Sequence, residues 1–230
     1  MSEMNEAVGV TYRDTKVAVV LSGCGVYDGS EIYEAVLTLL RLQQRGAQVS
    51  VFAPDVEQMH VINHLSGDIV EGERRNVLVE AARIVRGDIA ALGDASADNF
   101  DGLIVPGGFG AAKNLSDFAV AGAGLSVNAE LLHLAQEFRD ANKPIGLMCI
   151  APAMSAAICG EGVRCTIGTD ADTAGAINQT GAEHICCGVR EICFDAERKL
   201  VTTPAYMLAE TIEEAAQGIF ALVDKILELS

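Results

Sequence analysis

Three times in this chain a continuous apolar run breaks off into glycine or other small residues. Val17-Ala18-Val19-Val20-Leu21 runs into Ser22-Gly23-Cys24-Gly25, Leu103-Ile104-Val105-Pro106 into Gly107-Gly108-Phe109-Gly110, and Ile145-Gly146-Leu147-Met148 into Cys149-Ile150-Ala151-Pro152. A strand without polar alternation is buried on both faces, the condition of a central strand in a parallel sheet with helices on each side. The sequence therefore predicts a single α/β domain, a flavodoxin-like three-layer sandwich with a mostly parallel sheet. In such a sheet, loops at the carboxyl ends of neighbouring strands converge on one crevice, where ligands bind. If the three strands are neighbours, the loops Ser22 to Ser30, Pro106 to Lys113 and Cys149 to Pro152 share that crevice.

The intervening segments fit the same plan. Asp28-Gly29-Ser30 supplies a helix start, and Ile32, Ala35, Val36, Leu39 and Leu40 recur at helical spacing up to Gly46, so they are expected on the buried face. Gln48 to Ala53 is a second strand closed by Pro54-Asp55. Residues 56–75 are polar and irregular, Asn76 to Val85 helical, and Ile89 to Leu92 a short edge strand. Val127 to Ala141 reads as a helix with Leu131, Leu134, Ala135 and Phe138 inward. Val163 to Ile167 follows as a strand, Asp172 to Thr180 as a helix, and Arg190 to Asp195 with Lys199 to Thr203 as a hairpin around Ala196-Glu197-Arg198. Ile212, Ala215, Ala216, Ile219, Leu222, Val223 and Ile226 form the stripe of a closing helix. Residues 1–15 are polar and acidic and read as a flexible leader; residues 16–230 form the domain.

Charge and cysteine usage narrow the setting. With 16 basic against 32 acidic residues the net charge is -16, which repels polyanions, so neither nucleic acid nor anionic membrane is an expected partner. No apolar run approaches the roughly 18 residues of a membrane span. The leader has no basic start or apolar h-region, and the seven cysteines (24, 149, 159, 165, 186, 187 and 193) read as reduced thiols, so a cytoplasmic protein is expected. Cys165 and Cys193 lie in apolar strands, as small hydrophobes do.

The chemistry centres on Cys149. A cysteine between an apolar strand and small residues matches a strand-to-helix elbow, which holds a nucleophile in a sharp bend at the positive end of the next helix. Such a thiol is expected to be exposed, with its thiolate favoured. The backbone N–H groups of Gly108 and Ile150 are placed to form an oxyanion hole. Glu34 or Glu31, on the first helix, would move protons. A carboxyl beside a thiolate is raised in pKa, so it would be protonated and hydrogen-bond the sulfur. His184 with Cys186 and Cys187 lacks the paired ligand spacing of a zinc site, and His60 and His64 read as loop residues, so no metal is expected. Gly23-x-Gly25-x-x-x-Gly29 with Asp55 departs from a dinucleotide fingerprint, and no lysine follows for a P-loop; no cofactor is expected either.

Taken together, the glutamate on the first helix, Pro-Gly-Gly at the middle strand and the cysteine elbow resemble the class I glutamine amidotransferase-like superfamily in its PfpI protease and deglycase branch. More narrowly, Leu21-Ser22-Gly23-Cys24-Gly25-Val26-Tyr27-Asp28-Gly29-Ser30-Glu31, Pro106 to Leu115, Cys149-Ile150-Ala151-Pro152 and Thr202-Thr203-Pro204-Ala205 resemble the ElbB group, described as glyoxalase-like and linked by name to isoprenoid biosynthesis. The resemblance runs collinearly from about Lys16 to the end. It implies a cofactor-independent, glutathione-independent lyase acting on a small dicarbonyl, glyoxal or methylglyoxal, through a cysteine hemithioacetal and an enediol, and it implies a homodimer. Its acid, twelve residues before the glycine that ends the first helix, falls on Glu34. Many relatives follow the nucleophile with histidine or keep one nearby, whereas here Ile150 follows Cys149, and Thr169 and Asp170 stand where the second kind would lie. The late His-x-Glu pair of amidotransferases is also missing. Aldehyde chemistry is thus better supported than proteolysis or amidotransfer, and a non-catalytic binding module of the same fold is the alternative.

Overall fold

In the computed structural model, which describes residues 11–230, the three apolar runs become adjacent parallel strands. The chain runs β1 (Lys16–Val20), α1 (Ile32–Gln44), β2 (Gln48–Ala53), α2 (Val77–Ala81), β3 (Ala90–Ala91), β4 (Gly102–Val105), α3 (Phe109–Lys113), α4 (Phe118–Ala121), α5 (Ala129–Asp140), β5 (Ile145–Met148), α6 (Ser155–Cys159), β6 (Arg164–Cys165), α7 (Ala171–Gln179), β7 (Glu183–His184), β8 (Cys193–Asp195), β9 (Leu200–Thr203) and α8 (Ile212–Leu229). Seven strands form one sheet in the order β3-β2-β1-β4-β5-β9-β8, parallel throughout except for β8 against β9. Strands β6 and β7 pair in a separate short ladder. This is the expected flavodoxin-like α/β sandwich.

Period-two alternation explains why the strands carry no polar residue. In β1, Val17 and Val19 enter the core beneath α1 and α8, while Ala18 and Val20 enter the core beneath α5, and all four are fully buried. Leu103 and Val105 face the α5 side in the same way, with Ile104 on the other. The predicted inward residues of α5, and those of α8 from Ala215 to Ile226 except the half-buried Ala216, are buried as expected; Ile212 is exposed.

Helix α1 departs from expectation. It buries Glu34, Ala35, Leu37, Thr38 and Leu42, and leaves Ile32, Val36 and Leu40 at the surface. Of the residues expected inward, Ala35 is buried and Leu39 half-buried, and the buried face also takes in Glu34, whose partners are described below. Arg41 and Arg45 each donate from Nε to Asp224 Oδ1 at 2.8 Å, tying α1 to α8. Of the expected leader, residues 1–10 lie outside the described residues. Residues 11–15 are already held, since the Tyr12 N–H donates to the Arg45 carbonyl at 2.9 Å and the Gln48 N–H to the Thr15 carbonyl at 2.9 Å.

Candidate active site

Strand order reverses between β1 and β4: from β1 the chain moves outward to β2 and β3, then returns to β4 on the other side. The loops after β1, β4 and β5 meet at that switch point, as the crevice rule requires. Cys149 occupies the elbow after β5 at φ 60°, a left-handed conformation that costs a non-glycine residue roughly 1–2 kcal/mol. Its N–H donates to the Thr203 carbonyl at 3.0 Å, so β9 holds the bend in place.

Glu34 lies behind the sulfur, fully buried. Its Oε2 accepts the Gly107 N–H at 2.8 Å and its Oε1 the Tyr206 N–H at 3.1 Å. Its carboxyl also hydrogen-bonds the Cys149 thiol. Gly107 must be glycine, because a Cβ there would overlap the Cys149 Cβ and stand 2.8 Å from Glu34 Oε2. Ala205, another non-glycine residue at positive φ (45°), turns the chain so that the next N–H, that of Tyr206, faces the carboxylate. The Gly108 and Ile150 N–H groups act on the Cys149 sulfur from close by and lower its pKa. Glu34, Cys149, Gly108 and Ile150 are therefore brought together. Glu31 takes a separate place: it caps α1 by accepting the Glu34 N–H at 2.7 Å and lines the adjoining cavity.

The electrostatics differ from the expected exposed thiolate. Burial raises the Glu34 pKa to about 7 against the pull of the Tyr206 and Gly107 N–H groups, and the nearby Glu31 adds to the rise. Burial likewise pushes the Cys149 thiol well above its usual value; the Glu34 charge pushes it further, and the Gly108 and Ile150 N–H groups only partly offset this. The side chain is 7% exposed. Moreover, a 3-10 turn (Ala151–Met154) and the five-residue α6 follow the elbow, a poor source of helix-dipole stabilisation. The Cys149 thiol is therefore held neutral, beside a carboxyl that ionises near neutrality.

In front of the sulfur opens a cavity of ≈ 480 Å³. Val26, Phe109, Phe118, Ile150 and Met207 supply its apolar wall, and Glu31, Asp172, Thr173 and Tyr206 its polar lining. Sequence reading missed most of this wall, and the Tyr206 N–H as well. The residues lie on the short elements α3 and α4 and on a 3-10 turn (Ala205–Met207) too brief to show periodicity. The one available signal was Pro204-Ala205-Tyr206 directly after an apolar strand.

The remaining cysteine, histidine and acid positions lie apart from the sulfur. Cys24 does not line the cavity; burial, and then Glu80, raise its thiol. His184 Nε2 accepts the Ile167 N–H at 3.2 Å, a structural bond that needs the neutral ring. His64 Nε2 accepts the Tyr27 N–H at 3.2 Å and so pins the first glycine loop. Asp170 caps α7 by accepting the Thr173 N–H at 2.8 Å. All seven cysteines are free, and no described helix is long and apolar enough to cross a membrane.

Comparison with known proteins places this geometry. The model of the DJ-1/PfpI family matches residues 16–203. The human protein named glutamine amidotransferase-like class 1 domain-containing protein 3, mitochondrial, is 51% identical over 224 residues, covering 94% of this chain and 83% of its own. The crystal structure of an isoprenoid biosynthesis protein with amidotransferase-like domain from Ehrlichia chaffeensis superposes with a TM-score of 0.87 at 35% identity, covering 94% of this chain and 99% of that one. A glyoxalase III from Candida albicans has a TM-score of 0.58 at 13% identity, over 94% and 98% of the two chains, a likeness of fold alone. Because the human relative is named as mitochondrial, the expected cytoplasmic placement gains no support from it.

Proposed function

Because this chain belongs to the DJ-1/PfpI family, we propose that it is a glyoxalase-like enzyme that converts a 2-oxoaldehyde into a 2-hydroxy acid at Cys149. The observation that carries the reading is a fully buried Glu34 carboxyl, fixed by the Gly107 and Tyr206 N–H groups and set against the Cys149 thiol. A binding module would need the cavity but not this pair, since burying a carboxyl against a thiol costs stability that a purely structural role does not explain.

The reaction balances without an external oxidant or reductant. As Cys149 Sγ bonds to the aldehyde carbon, Glu34 in its carboxylate form takes the thiol proton, and the carbonyl oxygen becomes an oxyanion near the Gly108 and Ile150 N–H groups. Glu34 returns that proton to the oxygen, giving a hemithioacetal and regaining its carboxylate form. Glu34 then removes the hydrogen on the same carbon to leave an enediolate, returns that proton to the neighbouring carbon, and the hydroxyl proton of the first carbon passes to the neighbouring oxygen. The first carbon has been oxidised to a thioester and the second reduced to an alcohol. Water adds to the thioester and the thiol leaves with a proton, giving the hydroxy acid. A carboxyl titrating near 7 suits both halves of this cycle, because it gives and takes the proton with little bias at neutral pH.

Purified full chain supplied with methylglyoxal should release lactate. Cys149→Ser should abolish release, and Glu34→Gln should lower kcat by at least ~100-fold, the usual scale of a general acid/base. Turnover that survives Cys149→Ser would remove the mechanism. Failure to turn over any dicarbonyl would leave the binding module as the better reading.

A further inference from the structure

The cavity over Cys149 is far larger than glyoxal or methylglyoxal needs. Its ≈ 480 Å³ lies in the range of pockets that enclose much larger ligands. Outside the reacting corner, the wall is made by the side chains of Val26, Phe109, Phe118, Ile150 and Met207, with Ala176 leaving room between them. An apolar surface of this kind gains free energy from a ligand that covers it with carbon, and gains little from water. The charge of the lining is equally selective. Among the described residues no lysine, arginine or histidine lines the cavity, whereas Glu31 and Asp172 do; Lys113, over the Phe109 ring, donates to the Tyr27 carbonyl. An anionic ligand would enter without a partner for its charge, in a protein whose net charge is already -16.

We propose that the substrate class of this site is an uncharged 2-oxoaldehyde carrying an apolar substituent, an alkyl chain of roughly four to eight carbons or an aromatic ring, seated against Phe109, Phe118, Ile150 and Met207 with its dicarbonyl end at Cys149. The proposal rests on Cys149 being the nucleophile, and it deepens that reading by naming what fills the rest of the cavity. Glyoxal and methylglyoxal become minimal substrates that use one corner. Phosphorylated or carboxylated aldehydes and anionic thiol adducts are disfavoured by the acidic lining.

The test is a homologous series: methylglyoxal, butylglyoxal, hexylglyoxal and phenylglyoxal, with 4-carboxyphenylglyoxal as the anionic counterpart of the last. The expected result is a kcat/KM that climbs about fourfold per buried methylene and that is at least tenfold lower for the carboxylated ring than for phenylglyoxal. Ala176→Phe, which projects a ring into the cavity, should lower kcat/KM for hexylglyoxal at least tenfold more than for methylglyoxal. A flat or falling series, or equal use of the carboxylated ring, overturns the proposal. A second readout does not depend on turnover: n-alcohols from propanol to octanol are tested for protection of Cys149 against iodoacetamide. Protection that strengthens with chain length upholds the apolar site even if no dicarbonyl is converted, in which case only the catalytic reading has failed. Protection independent of chain length overturns the proposal whatever the turnover shows.

Discussion

Replacing Glu34 with glutamine should change how stability depends on pH, by an amount that follows from its burial. The carboxyl is raised from an ordinary 4.5 to about 7 in the folded protein, so between those values the folded state holds a proton that the unfolded chain has released. Stability contributed by such a group is complete below 4.5 and is lost as pH rises through about 7. At about 1.4 kcal/mol per pH unit, that window is worth about 3 kcal/mol in all, of which about 2.5 kcal/mol falls between pH 5 and pH 8. Glutamine cannot ionise, so the variant lacks this slope. It also places an amide NH2 against either the Gly107 or the Tyr206 N–H, where Glu34 accepts from both. That mismatch costs about 1–3 kcal/mol at every pH, so the informative quantity is the change between two pH values. Urea unfolding of both proteins at pH 5 and pH 8 should show the variant gaining about 2.5 kcal/mol relative to wild type at the higher pH. A difference that stays constant across that range would refute the claim that Glu34 is held protonated by burial.

Other consequences follow from the same geometry. The pH profile of kcat/KM for methylglyoxal should rise to a plateau with an apparent pKa near 7, belonging to the Cys149–Glu34 pair, and a profile flat from pH 5.5 to 8.5 would contradict Glu34 as the base. Gly107→Ala forces a Cβ onto Cys149 and Glu34; it should cost about 1–3 kcal/mol and most of the activity, and a wild-type urea midpoint would show that the backbone has more room than the structure gives it. Burial opposes ionisation of Asp224, but Arg45 and Arg41 outweigh it and hold the carboxyl below its ordinary value. Asp224→Ala should therefore destabilise by on the order of 2 kcal/mol at pH 7, with the difference shrinking only as pH falls below the ordinary carboxylate value and through the depressed one, and equal stability at pH 7 would mark the cluster as neutral.

What the sequence made legible was whatever rests on long, regular patterns. The unbroken apolar runs of β1, β4 and β5 announced strands buried on both faces, and their glycine or cysteine endings pointed to one shared edge; the observed order places the three side by side. Position at the start of the first helix singled out Glu31 and Glu34 alike, and only the family resemblance, counting back from Gly46, chose Glu34 between them. Periodicity alone put Ile32, Val36 and Leu40 inward, whereas all three are exposed and the buried face takes in Glu34, which meets Gly107, Tyr206 and Cys149 there. The state of Cys149 was misjudged because an elbow pattern says where a thiol sits, not how much protein covers it. The cavity wall was invisible for a related reason: Phe109, Phe118 and Met207 sit on elements of three to five residues, and only tertiary packing shows that they face the same space.

The central claim is that carbon bonds to Cys149 during turnover. Intact-mass analysis of the full chain, acid-quenched while it is processing methylglyoxal and then mapped by peptide, reads this directly. The account predicts an adduct of the substrate's mass on Cys149, absent from Cys149→Ser and depleted once substrate is exhausted. Lactate formed with no adduct on Cys149, and at an undiminished rate by the serine variant, would contradict it.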